Sequence, residues 1–314
     1  MTEIEKNAGT NESRQLSWME RNGFPMWLVV FGWIIISFIL FQVVGSVVSL
    51  VLIYYKTGHI MDLANTSNLK KYLGLIFIGN TTGQILFLGL GTLLVTKIAA
   101  PKGKVFSYLG FHYDKSIGRL ILLTILLILA IQPFIWLLSW LNALIPFPQS
   151  YLHFEDMQDK LLQDFLSGNK QVYWTLFNVA LVPAFCEEVL YRGFVLNTIK
   201  RKWGVTAAVL LSGIIFGLYH IRFTELIPLA ILGIILAILA WKSGSIIPAM
   251  VAHFVNNATS VIIAFKFPNY AFSSSTANSM PPLIYVALSI IVSGYLFYIF
   301  IKESNKSIKG GINV

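Results

Sequence analysis

The chain has 314 residues, of which 56% are hydrophobic and only 12% are charged, and its mean hydropathy is +0.72. About a quarter of the residues are charged in an ordinary soluble domain, so this composition excludes that class and indicates a polytopic membrane protein. The net charge of +9 is better explained by orientation against anionic lipid than by nucleic-acid binding, because the basic residues lie between apolar segments.

Residues 1–23 are polar and mixed in charge, and they lack the short apolar core and cleavage site of a secretory signal. Apolar runs long enough to cross a hydrocarbon core of about 30 Å then follow. We predict an all-α polytopic membrane bundle of about eight transmembrane helices, over residues 26–55, 72–97, 119–145, 172–199, 204–221, 224–241, 245–265 and 282–301. The fifth and sixth runs are separated only by a few residues around Arg222, which predicts a tight helical hairpin.

The loop at residues 146–171 has apolar residues at broadly helical spacing, so we predict an amphipathic helix in the membrane interface. It either covers the apolar ends of other helices, which we favour, or forms a lid over a site. The whole chain is then divided into four parts: a flexible cytoplasmic tail (1–23), two N-terminal transmembrane helices (24–117), a core (118–265), and a C-terminal transmembrane helix with a cytoplasmic tail (266–314).

Charge predicts the orientation of the protein. With eight spans, 15 Lys and Arg residues lie on the side of the termini and 7 on the other side, while Arg192 lies inside the membrane. Because cytoplasmic loops carry the excess of Lys and Arg, we expect a multi-pass protein with both termini in the cytoplasm. The length of the chain and the composition of its tail favour a bacterial plasma membrane. A single cysteine, Cys186, excludes an intramolecular disulfide.

The segment FCEEVLYRGF at 185–194 places three ionisable residues inside an apolar run. An ionised side chain at the bilayer centre costs at least ~2.5–3.5 kcal/mol on insertion scales, so such residues pair with each other or mark a functional site. Glu188 and Arg192 are four residues apart on one helical face, which predicts an ion pair. Glu187 is rotated from Glu188 by about 100° and needs another partner or another purpose.

Polar residues of two later helices lie at depths compatible with Glu187. His220 ends the fifth run, and His253 and Asn257 are four residues apart on one face of the seventh. At about 1.5 Å per residue, Glu187 lies about 18 Å from the cytoplasmic end of its helix, His220 about 24 Å, His253 about 12 Å and Asn257 about 18 Å. We therefore predict that these four side chains converge on one polar cavity within the membrane.

Such a set of groups suits hydrolysis of an amide. A carboxylate beside an imidazole can activate water as a general base, and a histidine and an asparagine one turn apart can stabilise an oxyanion. Alternatively, Glu187, His220 and His253 hold a zinc ion that activates the water. The sequence does not choose between a zinc-dependent and a cofactor-free mechanism. A thiol nucleophile is disfavoured, because Cys186 lies in apolar surroundings, where a cysteine is normally inert.

The residues E187-E188-V-L-Y-R192, F216-G-L-Y-H220 and H253-F-V-N-N257 resemble the EExxxR, FxxxH and HxxxN motifs of the CPBP family, the CAAX proteases and bacteriocin-processing enzymes. The resemblance covers 118–265. It implies an intramembrane endopeptidase core that acts on a peptide or membrane-protein substrate in the lipid bilayer. The family has been described both as metalloproteases and as metal-independent glutamate proteases.

The resemblance also implies roles for the individual residues. By this resemblance, Glu187 is the catalytic glutamate that activates water, and His220 completes the water site. His253 and Asn257 stabilise the oxyanion, and the ion pair of Glu188 and Arg192 supports the site. Asn256 is a rival of Asn257 by position, but the spacing of four residues from His253 favours Asn257.

Two other classes of function stay open. The chain can be a catalytically silent member of the same fold that acts as a scaffold or immunity factor. It can also be a proton- or ion-coupled transporter, because transporters use intramembrane Glu and His residues too, although the inverted repeats of broken helices typical of transporters are not evident.

Overall fold

The computed structural model describes residues 16–59, 66–113, 116–168, 172–267 and 279–311. These residues form helices and no strand, which confirms the all-α class. The main helices are α1 (Met26–Thr57), α2 (Lys71–Ala99), α3 (Ile117–Ala130), α4 (Gln132–Ala143), α5 (Gln149–Gly168), α6 (Val172–Tyr219), α7 (Phe223–Ser243), α8 (Ile247–Lys266) and α9 (Leu283–Gly311).

The number of membrane crossings depends on two breaks. Six of the described helices are long and apolar enough to cross a membrane, and α3 with α4, bent by 46°, adds a seventh if the pair is one span. The bend falls at Ile131, and Pro133 is the second residue of α4, a position in the first turn of a helix where proline is tolerated. The predicted single run at 119–145 is therefore two helices.

The second break lies in α6. This helix has 48 residues, or roughly 72 Å at 1.5 Å per residue, which is far more than the core of about 30 Å. Gly204 interrupts it with φ 81° and ψ 175°, a backbone conformation that glycine adopts without steric cost. The prediction of eight spans requires the two halves of α6 to cross separately, and it stays a prediction.

The predicted N-terminal tail differs from the structure at its end. Residues 1–15 lie outside the described part of the chain, but Trp18–Arg21 is a short helix. Ser17 and Glu20 form a reciprocal capping box, which satisfies backbone donors at a helix start. Glu20 also pairs with Arg201 at 3.4 Å, so this end of the tail is attached to the bundle.

The helix predicted in the loop 146–171 is observed as α5. Its C-terminal half packs in a small apolar cluster with α2 and α8, through Leu73, Phe165, Val261 and Ala264. The rings of Phe77 and Phe165 stack at 3.7 Å between centroids. Helix α5 therefore lies across the ends of α2 and α8.

Small residues bring the second half of α6 close to α7. A methyl group added to Gly213 would lie 2.4 Å from Ile234 Cγ1 and 2.6 Å from its backbone nitrogen. At Gly217, an added methyl would lie 3.0 Å from the backbone nitrogen of Ala230. Glycines four residues apart allow this close approach of two helices in a membrane. The predicted hairpin of the fifth and sixth runs is thus formed by backbone contact, and it fixes the end of α6.

Candidate active site

Helices α2, α6, α7 and α8 enclose a cavity of about 210 Å³. Its lining includes Glu187 of α6, His220 at the end of α6, and His253 and Asn257 of α8. The structure therefore brings together the four side chains that were predicted to converge. Their roles in catalysis stay a prediction.

One carboxylate oxygen of Glu187 makes no hydrogen bond with the described residues. The residue is 9% exposed, and its Oε2 atom is buried and has no hydrogen-bond partner among the described residues. A buried carboxylate oxygen without a partner is costly. This atom is available to a water molecule or a substrate group in the cavity.

Glu188, Arg192 and His253 form one buried network beneath the cavity. Arg192 Nη1 donates to Glu188 Oε1 at 2.9 Å, so the predicted ion pair is confirmed, and both side chains are fully buried. The same Oε1 atom accepts a hydrogen bond from His253 Nδ1 at 2.9 Å. Arg192 Nη2 donates to the carbonyl oxygen of Gly233 at 2.8 Å. Glu188 thus orients the imidazole of His253 as well as balancing Arg192.

His220 is held by the backbone of its own helix. Its Nδ1 atom lies 2.7 Å from the carbonyl oxygen of Phe216, and because a carbonyl only accepts, Nδ1 carries the proton. In the neutral ring, Nε2 is then a free acceptor. The Phe216 ring lies against the rings of His220 and His253, with centroids 4.8 and 5.5 Å away, and its centroid is 4.5 Å from Arg192 Cζ. Phe216 therefore positions both histidines.

The turn that follows His220 is strained. Ile221 has φ 51°, a left-handed conformation that costs a β-branched residue of order 1–3 kcal/mol. The hydroxyl of Tyr151 lies 3.0 Å from the Ile221 carbonyl oxygen and accepts the Phe223 N–H at 2.8 Å. It also lies within hydrogen-bond distance of Glu155. Helix α5 thus holds the strained turn next to His220.

These contacts also change the acidity of Tyr151. Burial, and next the hydrogen bond with Glu155, raise the pKa of the Tyr151 phenol above its ordinary value. The phenol therefore keeps its proton over a wider pH range than a free tyrosine.

Asn256 and Asn257 both line the cavity. Asn257 Nδ2 donates to the carbonyl oxygen of Val179 at 3.1 Å, and its Oδ1 accepts from Asn256 Nδ2 at 3.2 Å. Asn256 Oδ1 accepts from Gln132 Nε2 at 3.2 Å. An amide nitrogen carries two protons, so Asn257 keeps one N–H after the bond to Val179. The choice of Asn257 over Asn256 stays a prediction.

Three polar residues of the cavity were not predicted: Asn80, Gln84 and Asn178. Gln84 is 6% exposed, and its Oε1 is buried without a hydrogen-bond partner among the described residues. Asn178 accepts from Thr81 Oγ1 at 2.5 Å and so joins α6 to α2. The signal was the polar run of 80–84 within an apolar span, because intramembrane polar residues mark sites. For Asn80 and Gln84 this signal was missed because α2 lies outside the resembling region; Asn178 lies on α6, away from that run.

The three proposed zinc ligands are Glu187, His220 and His253. His220 and His253 each engage Nδ1 with an oxygen and leave Nε2 for a ligand, which is typical of metal-binding histidines. However, no three His, Cys, Asp or Glu side chains in the described ranges are placed so that they could hold a metal ion. Glu187, His220 and His253 share the cavity, but in this arrangement they do not fit a three-ligand zinc site.

Cys186 is not among the cavity residues. It is buried, and a methyl group added to Gly89 of α2 would lie 3.2 Å from its Sγ atom. Its side chain therefore packs against α2, away from the predicted catalytic groups.

The apolar helices indicate a polytopic integral membrane protein, and Glu, His and Asn side chains line a cavity inside it. Residues 169–259 match the family described as Type II CAAX prenyl endopeptidase Rce1-like. Over this segment the chain is similar to that family, in agreement with its resemblance to the CPBP family. The matched segment contains all four predicted catalytic residues and leaves out α1 to α5 and α9. No curated protein and no solved structure matches the chain.

Proposed function

We propose that this protein is an intramembrane endopeptidase that hydrolyses a peptide bond of a membrane-associated protein or peptide. The observation that carries the proposal is the shared cavity of Glu187, His220, His253 and Asn257. The family match over 169–259 supports the endopeptidase class.

Water is activated between Glu187 and His220. The carboxylate of Glu187 and the Nε2 atom of His220 are both acceptors, so a water molecule that donates one hydrogen to each keeps a lone pair for attack on the scissile carbonyl carbon. Glu187 takes the proton of the attacking water and later gives it to the leaving amine. The unpartnered Oε2 atom is the oxygen suited to this transfer.

The oxyanion of the tetrahedral intermediate is stabilised from α8. Asn257 supplies its second amide N–H, and His253 supplies Nε2–H. Because His253 Nδ1 already donates to Glu188, donation from Nε2 requires the doubly protonated imidazolium. The carboxylate of Glu188 stabilises this cation. Loss of one such donor reduces kcat by about 10²–10³-fold in other hydrolases.

No step of this mechanism is assigned to zinc, because the described side chains do not form a three-ligand set. Metal dependence is tested directly. Inhibition by a zinc chelator that is reversed by added zinc would assign Glu187, His220 and His253 to a metal in a rearranged site.

The experiment compares Glu187→Gln with wild type on a library of short and membrane-anchored peptides, using the full chain purified in detergent. Cys186→Ala is the matched control, because it changes the adjacent buried residue, whose side chain packs against α2. We expect cleavage by wild type and by Cys186→Ala, and none by Glu187→Gln. Peptide binding with no cleavage by any form would instead indicate a scaffold, and proton-coupled flux in proteoliposomes would indicate a transporter.

A further inference from the structure

The ends of the bundle form two faces, which are defined by contacts between helix termini. At the first, called the basic face, the end of α2 and the Gly204 break of α6 meet the α7–α8 turn and the start of α3. The contacts are Ile246 N to Gly110 O at 2.9 Å, Tyr108 Oη to Thr198 Oγ1 at 2.7 Å, Arg119 to Glu303 at 2.7 Å and Arg201 to Glu20 at 3.4 Å.

The opposite face is built around α5 and the turn between α6 and α7. Arg222 pairs with Asp159 of α5 at 2.8 Å. Asn142 at the end of α4 donates to the carbonyl oxygen of Phe223 at 2.9 Å and accepts the N–H of Ile227 at 2.7 Å. The start of α2 and the end of α8 reach this face through the apolar cluster beneath α5.

The two faces differ in charge. Among residues with described side chains, the basic face carries 11 cations and two carboxylates: Arg21, Lys97, Lys102, Lys104, Arg119, Lys200, Arg201, Lys202, Lys242, Lys302 and Lys306, with Glu20 and Glu303. The opposite face carries five of each: Lys56, Lys71, Lys160, Arg222 and Lys266, with Glu155, Asp156, Asp159, Asp164 and Glu225. By the positive-inside rule, the basic face lies in the cytoplasm.

Most residues that line the cavity lie nearer the opposite face than the basic face. At about 1.5 Å per residue, His253 lies roughly 9 Å from the start of α8 at the basic face, Asn257 roughly 15 Å, and His220 roughly 24 Å from Gly204. Phe77, which also lines the cavity, is roughly 33 Å from Ala99 at the basic end of α2. The cavity therefore extends from roughly 9 Å inside the basic face to the opposite face.

Packed residues of α6 lie between the cavity and the basic face. Val189 to Val195 in α6 are all buried, and Arg192 is 0% exposed within the Glu188 and Gly233 network. A smaller cavity of about 120 Å³ reaches Arg192 from the basic face, but it shares no lining residue with the larger cavity. Arg192 and its packed neighbours thus form the cytoplasmic floor.

Helix α5 lies at the other end of the cavity. Phe165 stacks on Phe77, which lines the cavity, and Tyr151 holds the turn that follows His220. A substrate segment that reaches Glu187 along the axis of the cavity therefore passes beside α5 and does not cross the cytoplasmic floor.

We propose that the scissile segment enters from the face opposite the basic face, beside α5, so that the substrate is a peptide or membrane-protein segment exposed outside the cytoplasm. This inference rests on the proposed endopeptidase function. A cytoplasmic C terminus would have to displace the ion pair of Glu188 and Arg192 to reach the same carboxylate from the basic face.

The test uses membrane vesicles of defined orientation and a membrane-impermeant peptide that the detergent-purified enzyme cleaves. Orientation is reported by an impermeant thiol reagent on Lys160→Cys and Lys306→Cys, each in a Cys186→Ala background. These lysines are 65% and 62% exposed, on the opposite and basic faces respectively. We expect right-side-out vesicles to label Lys160→Cys and to cleave the peptide at the rate seen after detergent is added. Inside-out vesicles are expected to label Lys306→Cys and to cleave only after detergent is added.

Two results would overturn the inference while the endopeptidase function stands. One is cleavage by intact inside-out vesicles and not by right-side-out vesicles, with full activity of both in detergent. The other is labelling of Lys160→Cys only in inside-out vesicles. If no peptide is cleaved even in detergent, the proposed function fails, and the inference fails with it.

Discussion

Replacing Arg192 with methionine leaves the buried carboxylate of Glu188 without the guanidinium that donates to it at 2.9 Å. Removing one partner of a buried ion pair destabilises a protein by about 3–5 kcal/mol. Loss of the hydrogen bond to Gly233 O adds about 1 kcal/mol. Because His253 still donates to Glu188, we expect a loss near the lower end of the sum, about 4 kcal/mol.

The assay is the free energy of unfolding of the full chain in detergent, from reversible SDS titration followed by tryptophan fluorescence. The double variant Glu188→Gln/Arg192→Met is the matched control, because it leaves no charge in this pair. Replacing both members of a buried ion pair by neutral groups is often close to neutral for stability, so we expect the double variant to recover most of the loss. Its cleavage activity stays low, because His253 no longer has a carboxylate partner.

Two results would refute this reasoning. Wild-type stability of Arg192→Met would show that Glu188 does not depend on the guanidinium. A double variant as unstable as Arg192→Met would show that the loss comes from packing and not from an unpaired buried charge.

Three further predictions concern positions around the site. Gln84→Leu removes an unpartnered acceptor of the cavity and should lower kcat/KM about tenfold, the value of one hydrogen bond, in a peptide-cleavage assay; an unchanged kcat/KM would rule out a substrate contact. Gly213→Ala, with its methyl 2.4 Å from Ile234 Cγ1, should cost about 1–3 kcal/mol of stability in the SDS titration, whereas Gly294→Ala, which meets nothing within 4 Å, should not. Since the pKa of Tyr151 is raised in the folded protein, its contribution to stability is complete below the free-tyrosine pKa of about 10 and is lost as the pH rises through the folded pKa. Melting temperatures at alkaline pH should therefore fall more for wild type than for Tyr151→Phe, and parallel curves would contradict the hydrogen-bond assignment.

The sequence predicted the parts of the site that depend on spacing within one helix or on depth in the membrane. The pair of Glu188 and Arg192 follows from their separation along α6, and it is observed. The shared cavity of Glu187, His220 and His253 follows from similar depths along different helices, and these residues line one cavity.

Features that depend on tertiary register were not predictable in the same way. The hydrogen bond of His253 to Glu188 requires the rotation of α8 relative to α6, which helix length does not determine. Gln84 and Asn178 lie in π-helical stretches of α2 and α6, where the wider turn shifts which residues face the cavity. The contact of Tyr151 with the turn after His220 joins residues about 70 positions apart, and no local pattern indicates it.

The most direct measurement of the central claim compares binding and single-turnover cleavage of one identified peptide by wild type and Glu187→Gln. If Glu187 is the base that activates water, the variant binds the peptide with nearly wild-type affinity, because the carboxamide keeps the shape of the side chain. Its cleavage rate should fall by about 10²–10⁴-fold, the usual contribution of a general base. Cleavage by Glu187→Gln at the wild-type rate, with wild-type binding, would contradict the assignment of this carboxylate and the mechanism built on it.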